Sequence, residues 1–203
     1  MSERWVPLDV ATCDPDPVAQ FRRWFDEALE VMDEREAVTL VSAGSSGRPS
    51  ARMVLLRYVD DHTFGWYTNY HSRKGRELAA NPHAALLWYC EPLGRQVRVE
   101  GDVAPMTPDE SDTYFATRPR AHQLSAHASA QSEPLASRAQ LERLVAEVTA
   151  RFEGREVPRP EYWGGYRLTP GAVEFWQRRD DRLHDRVAYE RRDGVWRRER
   201  LAP

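Results

Sequence analysis

From Ala37 onward the apolar residues of this chain stop recurring every three or four positions and begin to alternate, and this change of period limits the fold most strongly. Val38-Thr39-Leu40-Val41 runs into Ser45-Ser46-Gly47-Arg48-Pro49, a turn-rich break, and residues 51–59 read as a second strand of a hairpin. Asp60-Asp61 then turns the chain into Phe64-Gly65-Trp66-Tyr67-Thr68. Further strands are predicted at 84–89, 96–103, 165–168, 173–177 and 186–191, with a last one after the Asp193-Gly194 turn. Short strands that follow one another without regular helical crossovers predict an α+β protein built around a barrel of antiparallel strands.

Helices flank this β framework. Asp14 or Asp16 can cap the first, Pro17 suits its first turn, and Phe21, Trp24, Phe25, Ala28, Leu29 and Met32 make one apolar stripe. Such an aromatic stripe reads as core packing, not as a cofactor box. Ser72 can cap a short helix that stops at Asn81-Pro82. Thr107-Pro108-Asp109-Glu110 has capping-box spacing, and a further helix is expected over 134–152. A chain of 203 residues without a long linker predicts one domain spanning 1–203, with a flexible N-terminal segment over 1–15.

The formal net charge of −3 gives no global pull toward nucleic acid or an anionic membrane, so any anion site must come from local clusters of Arg and Lys. Cys13 and Cys90 lack metal-ligand spacing, and no metal site is expected. The first residues lack the apolar run of a signal peptide and no later run could span a bilayer, which predicts a cytoplasmic protein.

Four clusters could carry chemistry. On the second strand, alternation puts Arg52, Val54 and Leu56 on one face and Met53, Leu55 and Arg57 on the other; such an Arg serves either an anion or a salt bridge. Ser72-Arg73-Lys74 stands at a helix N-terminus, where backbone N–H groups and two cations suit phosphate, although a solvated first turn looks the same. Gln131-Ser132 alone reads as a helix cap. Phe175-Trp176-Gln177 followed by Arg182-Leu183-His184-Asp185-Arg186 suits an anionic ligand, or a surface turn in which Asp180, Asp181 and Asp185 pair with the arginines. No Walker loop, GxGxxG or Ser/His/Asp motif is present.

Taken in order, these runs resemble the pyridoxamine 5′-phosphate oxidase family. The resemblance is carried by Arg52-Met53-Val54-Leu55-Leu56, Tyr67-Thr68-Asn69, Ser72-Arg73-Lys74, Arg95-Gln96-Val97, Arg118-Pro119-Arg120, Gln131-Ser132, Tyr162-Trp163-Gly164-Gly165, Phe175-Trp176-Gln177, Arg182 to Arg186 and the terminal Arg200-Leu201-Ala202-Pro203. It implies an FMN-binding split β-barrel that forms a homodimer with FMN at the subunit interface. It further implies that Arg52, Arg73 and Lys74, helped by Gln131 and Ser132, hold the flavin phosphate. Met53, Val54, Leu55, Tyr67, Thr68, Gln96, Trp176 and Arg186 would line the rest of the cofactor. Tyr114 and Arg118 would bind the substrate phosphate, with Arg57 and His122 beside them, and Arg182 and His184 would cover the reacting ring. The implied reaction oxidises pyridoxine or pyridoxamine 5′-phosphate to pyridoxal 5′-phosphate, with O2 as acceptor and H2O2 as by-product.

Departures from the family pattern concern the substrate side. Arg57 stands where Lys is usual, His122 where Ser is common, and Leu124-Ser125-Ala126-His127 replaces an expected Gly-Ala-Trp-like stretch. The N-terminal segment that folds over substrate in many members is short here, with Trp5 or Arg4 as its candidate replacement. Two alternatives therefore stand beside the vitamer oxidase: a related flavin oxidase of the phenazine-pathway type, and a flavin- or pyridoxal phosphate-binding protein with little turnover.

Overall fold

The computed structural model describes residues 5–203. One antiparallel sheet of nine strands dominates it: β1 (Ala37–Ala43), β2 (Pro49–Leu55), β3 (Tyr58–Val59), β4 (Phe64–Asn69), β5 (His83–Cys90), β6 (Arg95–Pro105), β7 (Trp163–Gln177), β8 (Asp185–Arg192) and β9 (Val195–Leu201). The hydrogen-bonded path runs β2-β1-β5-β6-β7-β4-β3, with β8 and β9 added beside the second half of β7. Since β2 leads into β3 through Leu56-Arg57, the two ends of the path are consecutive in the chain. The Arg57 N–H donates to Gly65 O of β4 at 2.9 Å, across the seam. This is the expected barrel of antiparallel strands.

The helices are α1 (Pro17–Glu27), α2 (Arg73–Ala80), α3 (Pro108–Thr117), α4 (Arg120–Ala128) and α5 (Arg138–Arg151). Asp16, not Asp14, caps α1: its side chain accepts the Val18 N–H at 2.8 Å. The apolar stripe does pack as core except at Leu29, which is exposed. Phe21 lies edge-on to Phe64 and Trp88, and Trp24 edge-on to Phe175, with centroids 5.1 to 5.7 Å apart. Glu110 and Thr107 complete the capping box of α3.

Several boundaries differ from those the sequence predicts. The strand expected over 51–59 breaks at Leu56-Arg57, where the chain crosses from one end of the sheet path to the other. The two strands expected at 165–168 and 173–177 are one, because a bulge at Glu100/Gly101 lets the Pro170-Gly171 pair lie in β7 without breaking its ladder with β6. The helix expected over 134–152 begins only at Arg138, capped by Ser137, so Gln131-Ser132 is not its cap. Helix α4 is not among the predicted elements; its start at Pro119 has no side-chain cap to mark it. The segment ahead of α1 has no sequence signal to anchor it, yet Trp5, Leu8 and Cys13 are buried and the Tyr189 hydroxyl donates to Asp14 O. Arg4 lies outside the described residues.

Candidate active site

Most of the predicted ligand residues converge on a cleft of about 480 Å³ between the β2 end, β4, the α3–α4 junction and the loop after α4. Met53, Val54 and Leu55 of β2 line it together with Arg57, and Met53 and Leu55 lie on the exposed face that alternation assigns them. Tyr67, Thr68, Lys74 and Gln131 form one side, and Tyr114, Arg118 and His122 the other.

Lys74 owes its place to the start of α2. Ser72 caps that helix through Gly75 N–H, and a side chain at Gly75 would put its Cβ 2.0 Å from Tyr70 O, so only glycine allows this close approach. Although buried, Lys74 Nζ donates, among the described residues, only to uncharged acceptors, Gln131 Oε1 at 2.8 Å, Thr68 Oγ1 at 3.1 Å and Ser72 Oγ at 3.4 Å. Burial, reinforced by the charge of Arg52 and opposed by Glu77, lowers the Lys74 ammonium to about 8. Arg52 and Arg73 share one counter-charge instead. Both meet Glu77, at 3.1 and 2.9 Å, and Arg52 also donates to Ser42 Oγ at 2.7 Å and to Ser50. Burial would raise the Glu77 carboxyl, but bonds from Ser42, Ser50, Arg73 and Arg52 outweigh it and bring the group down to about 2. Glu77 is a residue that sequence reasoning missed; its i+4 spacing from Arg73 was the available signal.

Arg118 is extended because Pro119 follows it, and this ends α3 and points the guanidinium across the cleft wall. Its Cζ lies 4.5 Å from the Trp163 ring centroid, and its buried Nη1 has no hydrogen-bond partner among the described residues. Burial, with Arg57 adding to it and Tyr114 opposing, lowers the Arg118 pKa. Tyr67 stacks on Tyr114 at 3.8 Å and on Trp163 at 5.4 Å, which gives the cleft a rigid aromatic wall. Trp163 was not among the predicted site residues, although the Tyr162-Trp163-Gly164-Gly165 run drew attention to it.

The remaining predicted residues lie apart from this cleft. Gln96 of β6 pairs with Trp176 of β7, and Trp176 in turn pairs with Arg186 of β8. Arg186 makes two bonds to the Glu174 carboxylate, at 2.8 and 3.0 Å. In the loop between β7 and β8, His184 packs on Trp176 at 4.5 Å and its Nδ1 accepts the Arg179 N–H at 3.0 Å. Arg182 is exposed with φ 63°, a left-handed conformation that costs a non-glycine residue energy. Among the described residues Arg182 makes no ion pair, so the alternative reading of a salt-bridged turn is not met there. Asp180 accepts the Trp5 indole N–H at 2.9 Å, Asp181 accepts Leu183 N–H at 3.0 Å, and Asp185 pairs with Arg200 at 3.0 Å. Ser132, with φ 76°, lies exposed in the loop that presents Gln131.

A closed antiparallel barrel with a cationic cleft beside an aromatic wall defines a class of anion-binding split barrels, and comparison with known proteins narrows it. Residues 25–152 match the family described as pyridoxamine 5′-phosphate oxidase, and residues 163–203 match the pyridoxine 5′-phosphate oxidase C-terminal dimerisation region. A Rubrobacter xylanophilus protein named pyridoxine/pyridoxamine 5′-phosphate oxidase is 57% identical over 94% of this chain and 88% of its own. One of the same name from Burkholderia vietnamiensis is 52% identical over 97% and 93%. The crystal structure of PhzG from Burkholderia lata 383, in complex with tetrahydrophenazine-1-carboxylic acid, superposes over all of both chains with a TM-score of 0.92 and 33% identity. An FMN-binding, pyridoxamine 5′-phosphate oxidase-related protein from Nostoc punctiforme shares the fold, with a TM-score of 0.70 and 19% identity.

The chain belongs to the pyridoxamine 5′-phosphate oxidase family. It is an oxidoreductase with FMN as its cofactor, and the matched dimerisation region supports a homodimer. Among the described residues no helix is long and apolar enough to cross a membrane, and no cluster of His, Cys, Asp and Glu could hold a metal ion.

Proposed function

We propose that the chain oxidises C4′ of pyridoxine or pyridoxamine 5′-phosphate to the aldehyde of pyridoxal 5′-phosphate, at a site completed by two subunits. The observation that carries this reading is the buried Arg118 Nη1, a cationic donor without a partner, in a cleft also lined by Arg57 and His122. A buried N–H of this kind costs free energy unless a ligand oxygen meets it, and a phosphate ester supplies several such oxygens.

The residues present also fit FMN. Lys74 is a buried cation with only neutral partners at the start of a helix, which suits the flavin phosphate, with Arg52 and Arg73 adding charge behind it and Gln131 and Ser132 beside it. When bound, FMN would supply the two-electron acceptor for the C4′ hydride, with O2 as the final acceptor and H2O2 as by-product. Met53, Val54, Leu55, Tyr67 and Thr68 offer a wall for the cofactor on the same protomer. Tyr114, Arg118, Arg57 and His122 hold the substrate phosphate and so fix the reacting carbon. Gln96, Trp176, Arg182, His184 and Arg186 line a different part of the barrel, and all but Gln96 fall in the matched dimerisation region. This separation supports a site in which the partner subunit brings Arg182 and His184 to the ring. Both matched regions share one sheet through β7, which favours reading the chain as a single domain.

The test is aerobic incubation of FMN-loaded protein with pyridoxine 5′-phosphate, following aldehyde and peroxide. No turnover at full flavin occupancy would overturn the reading. For the shared site, inactive Arg118→Ala and Arg182→Ala protomers are mixed and re-equilibrated. One intact site per mixed dimer should restore about a quarter of wild-type activity, and no recovery would place both residues in one subunit's site. A second reading, oxidation of a tetrahydrophenazine carboxylic acid, is favoured by the superposition on PhzG. Faster turnover of that acid than of the phosphate ester would select it.

A further inference from the structure

We propose that His184 works as a neutral hydrogen-bond donor through Nε2, with its tautomer set by the backbone N–H of Arg179, and does not act as a general base. The inference rests on the reading that His184 faces the reacting ring.

The argument starts from a group whose polarity is unambiguous. A backbone N–H can only donate, so the 3.0 Å bond from Arg179 N to His184 Nδ1 requires a lone pair on Nδ1. A neutral imidazole with that lone pair carries its proton on Nε2, and a doubly protonated ring would forfeit the bond. The loop is built to keep this geometry. Arg178 N–H donates to Gly94 O at 2.8 Å where the chain leaves β7, and Arg182 N–H closes back on Arg179 O at 3.4 Å. The left-handed Arg182 and the Leu183 N–H bond to Asp181 turn the chain so that residue 184 returns to residue 179. Two further ties fix the loop from outside. Asp180 accepts the indole N–H of the buried Trp5, and Asp185 accepts Leu8 N–H at 3.1 Å while pairing with Arg200. Trp176 lies against the ring at 4.5 Å and holds its plane, and turning the imidazole over would put a carbon where Nδ1 accepts the Arg179 N–H.

Among the described residues Nε2 has no hydrogen-bond partner. It is therefore a fixed donor that awaits an acceptor, and a substrate oxygen or nitrogen beside C4′ supplies one. With Nδ1 occupied and Nε2 protonated, the ring has no lone pair left for the substrate's hydroxyl proton. In the alcohol oxidation the C4′–H bond breaks with its electron pair going to FMN, the C4′–O bond becomes a double bond, and the hydroxyl proton passes to water. Arg179 is thus a positioning residue through its main chain, whatever its side chain does.

Two measurements test this. In ¹⁵N-histidine-labelled protein at neutral pH, flavin-free and FMN-loaded, the His184 ring, assigned by its loss in His184→Gln, should show a protonated Nε2 and a bare Nδ1. An Nδ1–H tautomer or a doubly protonated ring would overturn the proposal. In single-turnover reduction of the flavin by substrate, His184→Gln can place an amide N–H near the Nε2 position, whereas His184→Asn keeps only the acceptor near Nδ1. The Gln variant should stay within about tenfold of wild type, and the Asn variant should fall about 10²-fold, the usual cost of one preorganised donor. Equal losses would indicate proton abstraction, and a more active Asn variant would reduce His184 to a loop brace; either result overturns the donor role. A wild type inert toward the vitamer phosphates would instead sink the substrate reading, and the tautomer would still be decided by the NMR spectrum.

Discussion

Replacing Lys74 with Met should stabilise the flavin-free protein and weaken its hold on FMN. The residue is 9% exposed, and its ammonium bonds only to Gln131, Thr68 and Ser72. Its fall from the ordinary 10.5 to about 8, caused first by burial, corresponds to roughly 3 kcal/mol for keeping the charge in the empty site. Methionine carries no such penalty. After subtracting about 1 kcal/mol for lost hydrogen bonds, the flavin-free variant should gain on the order of 1–2 kcal/mol at pH 7. The unfolded chain binds this proton more tightly than the folded one. Wild-type stability should therefore gain from this group as pH rises from about 8 to 10.5, a gain that Lys74→Met lacks. Flavin binding responds in the opposite sense. A charge-assisted bond to phosphate contributes about 1.5–3 kcal/mol, so the FMN Kd should rise roughly 10- to 150-fold. Because phosphate needs the ammonium form, the wild-type Kd should be flat below pH about 8 and climb above it, whereas Lys74→Arg should stay flat. Flavin fluorescence titrations and urea unfolding measure both effects. A Met variant with unchanged Kd, or one less stable than wild type without flavin, would refute the reasoning.

Other perturbations probe the supports of the site. Glu77→Gln leaves Arg52 and Arg73 without their counter-charge, and urea unfolding should show a loss of about 3 kcal/mol at pH 7. Since the Glu77 carboxyl lies near 2, its stabilisation is complete above the ordinary carboxylate range and lost as pH falls toward about 2; the Gln variant should lack that component of acid sensitivity. Gly164→Ala would bring a methyl to 2.1 Å from the Tyr70 hydroxyl and 2.9 Å from Ser111 Oγ, so a loss of about 1–3 kcal/mol is expected, and an unchanged Tm would argue against this close packing. Arg182→Gly relieves a left-handed backbone while removing the guanidinium. Its Tm should hold or rise while kcat/KM for pyridoxine 5′-phosphate falls on the order of 10²-fold with FMN occupancy unchanged; retained turnover would remove Arg182 from the site.

The sequence by itself determined most of the secondary elements, though not α4 or the break at Leu56-Arg57, and the chemistry of the ligand groups. Alternation alone assigns Arg52 and Met53 to opposite faces of β2, and the Thr107 capping box marks the start of α3, because both depend on residues close in the chain. The ordered motifs identified the family and, with it, FMN. What the sequence left open is what depends on contacts between distant segments. Whether Arg182 pairs with its neighbouring aspartates was undecidable from spacing, and the fold resolves it by giving Asp180 to Trp5 and Asp185 to Arg200, from the two ends of the chain. Likewise Ser72-Arg73-Lys74 reads as a uniform basic triplet, yet the tertiary structure ties Arg73 to Glu77 and buries Lys74 among neutral acceptors. Residue types set which groups can bind an anion; only the packing of β2 and β4 around α2 decides which of them is left with charge to give.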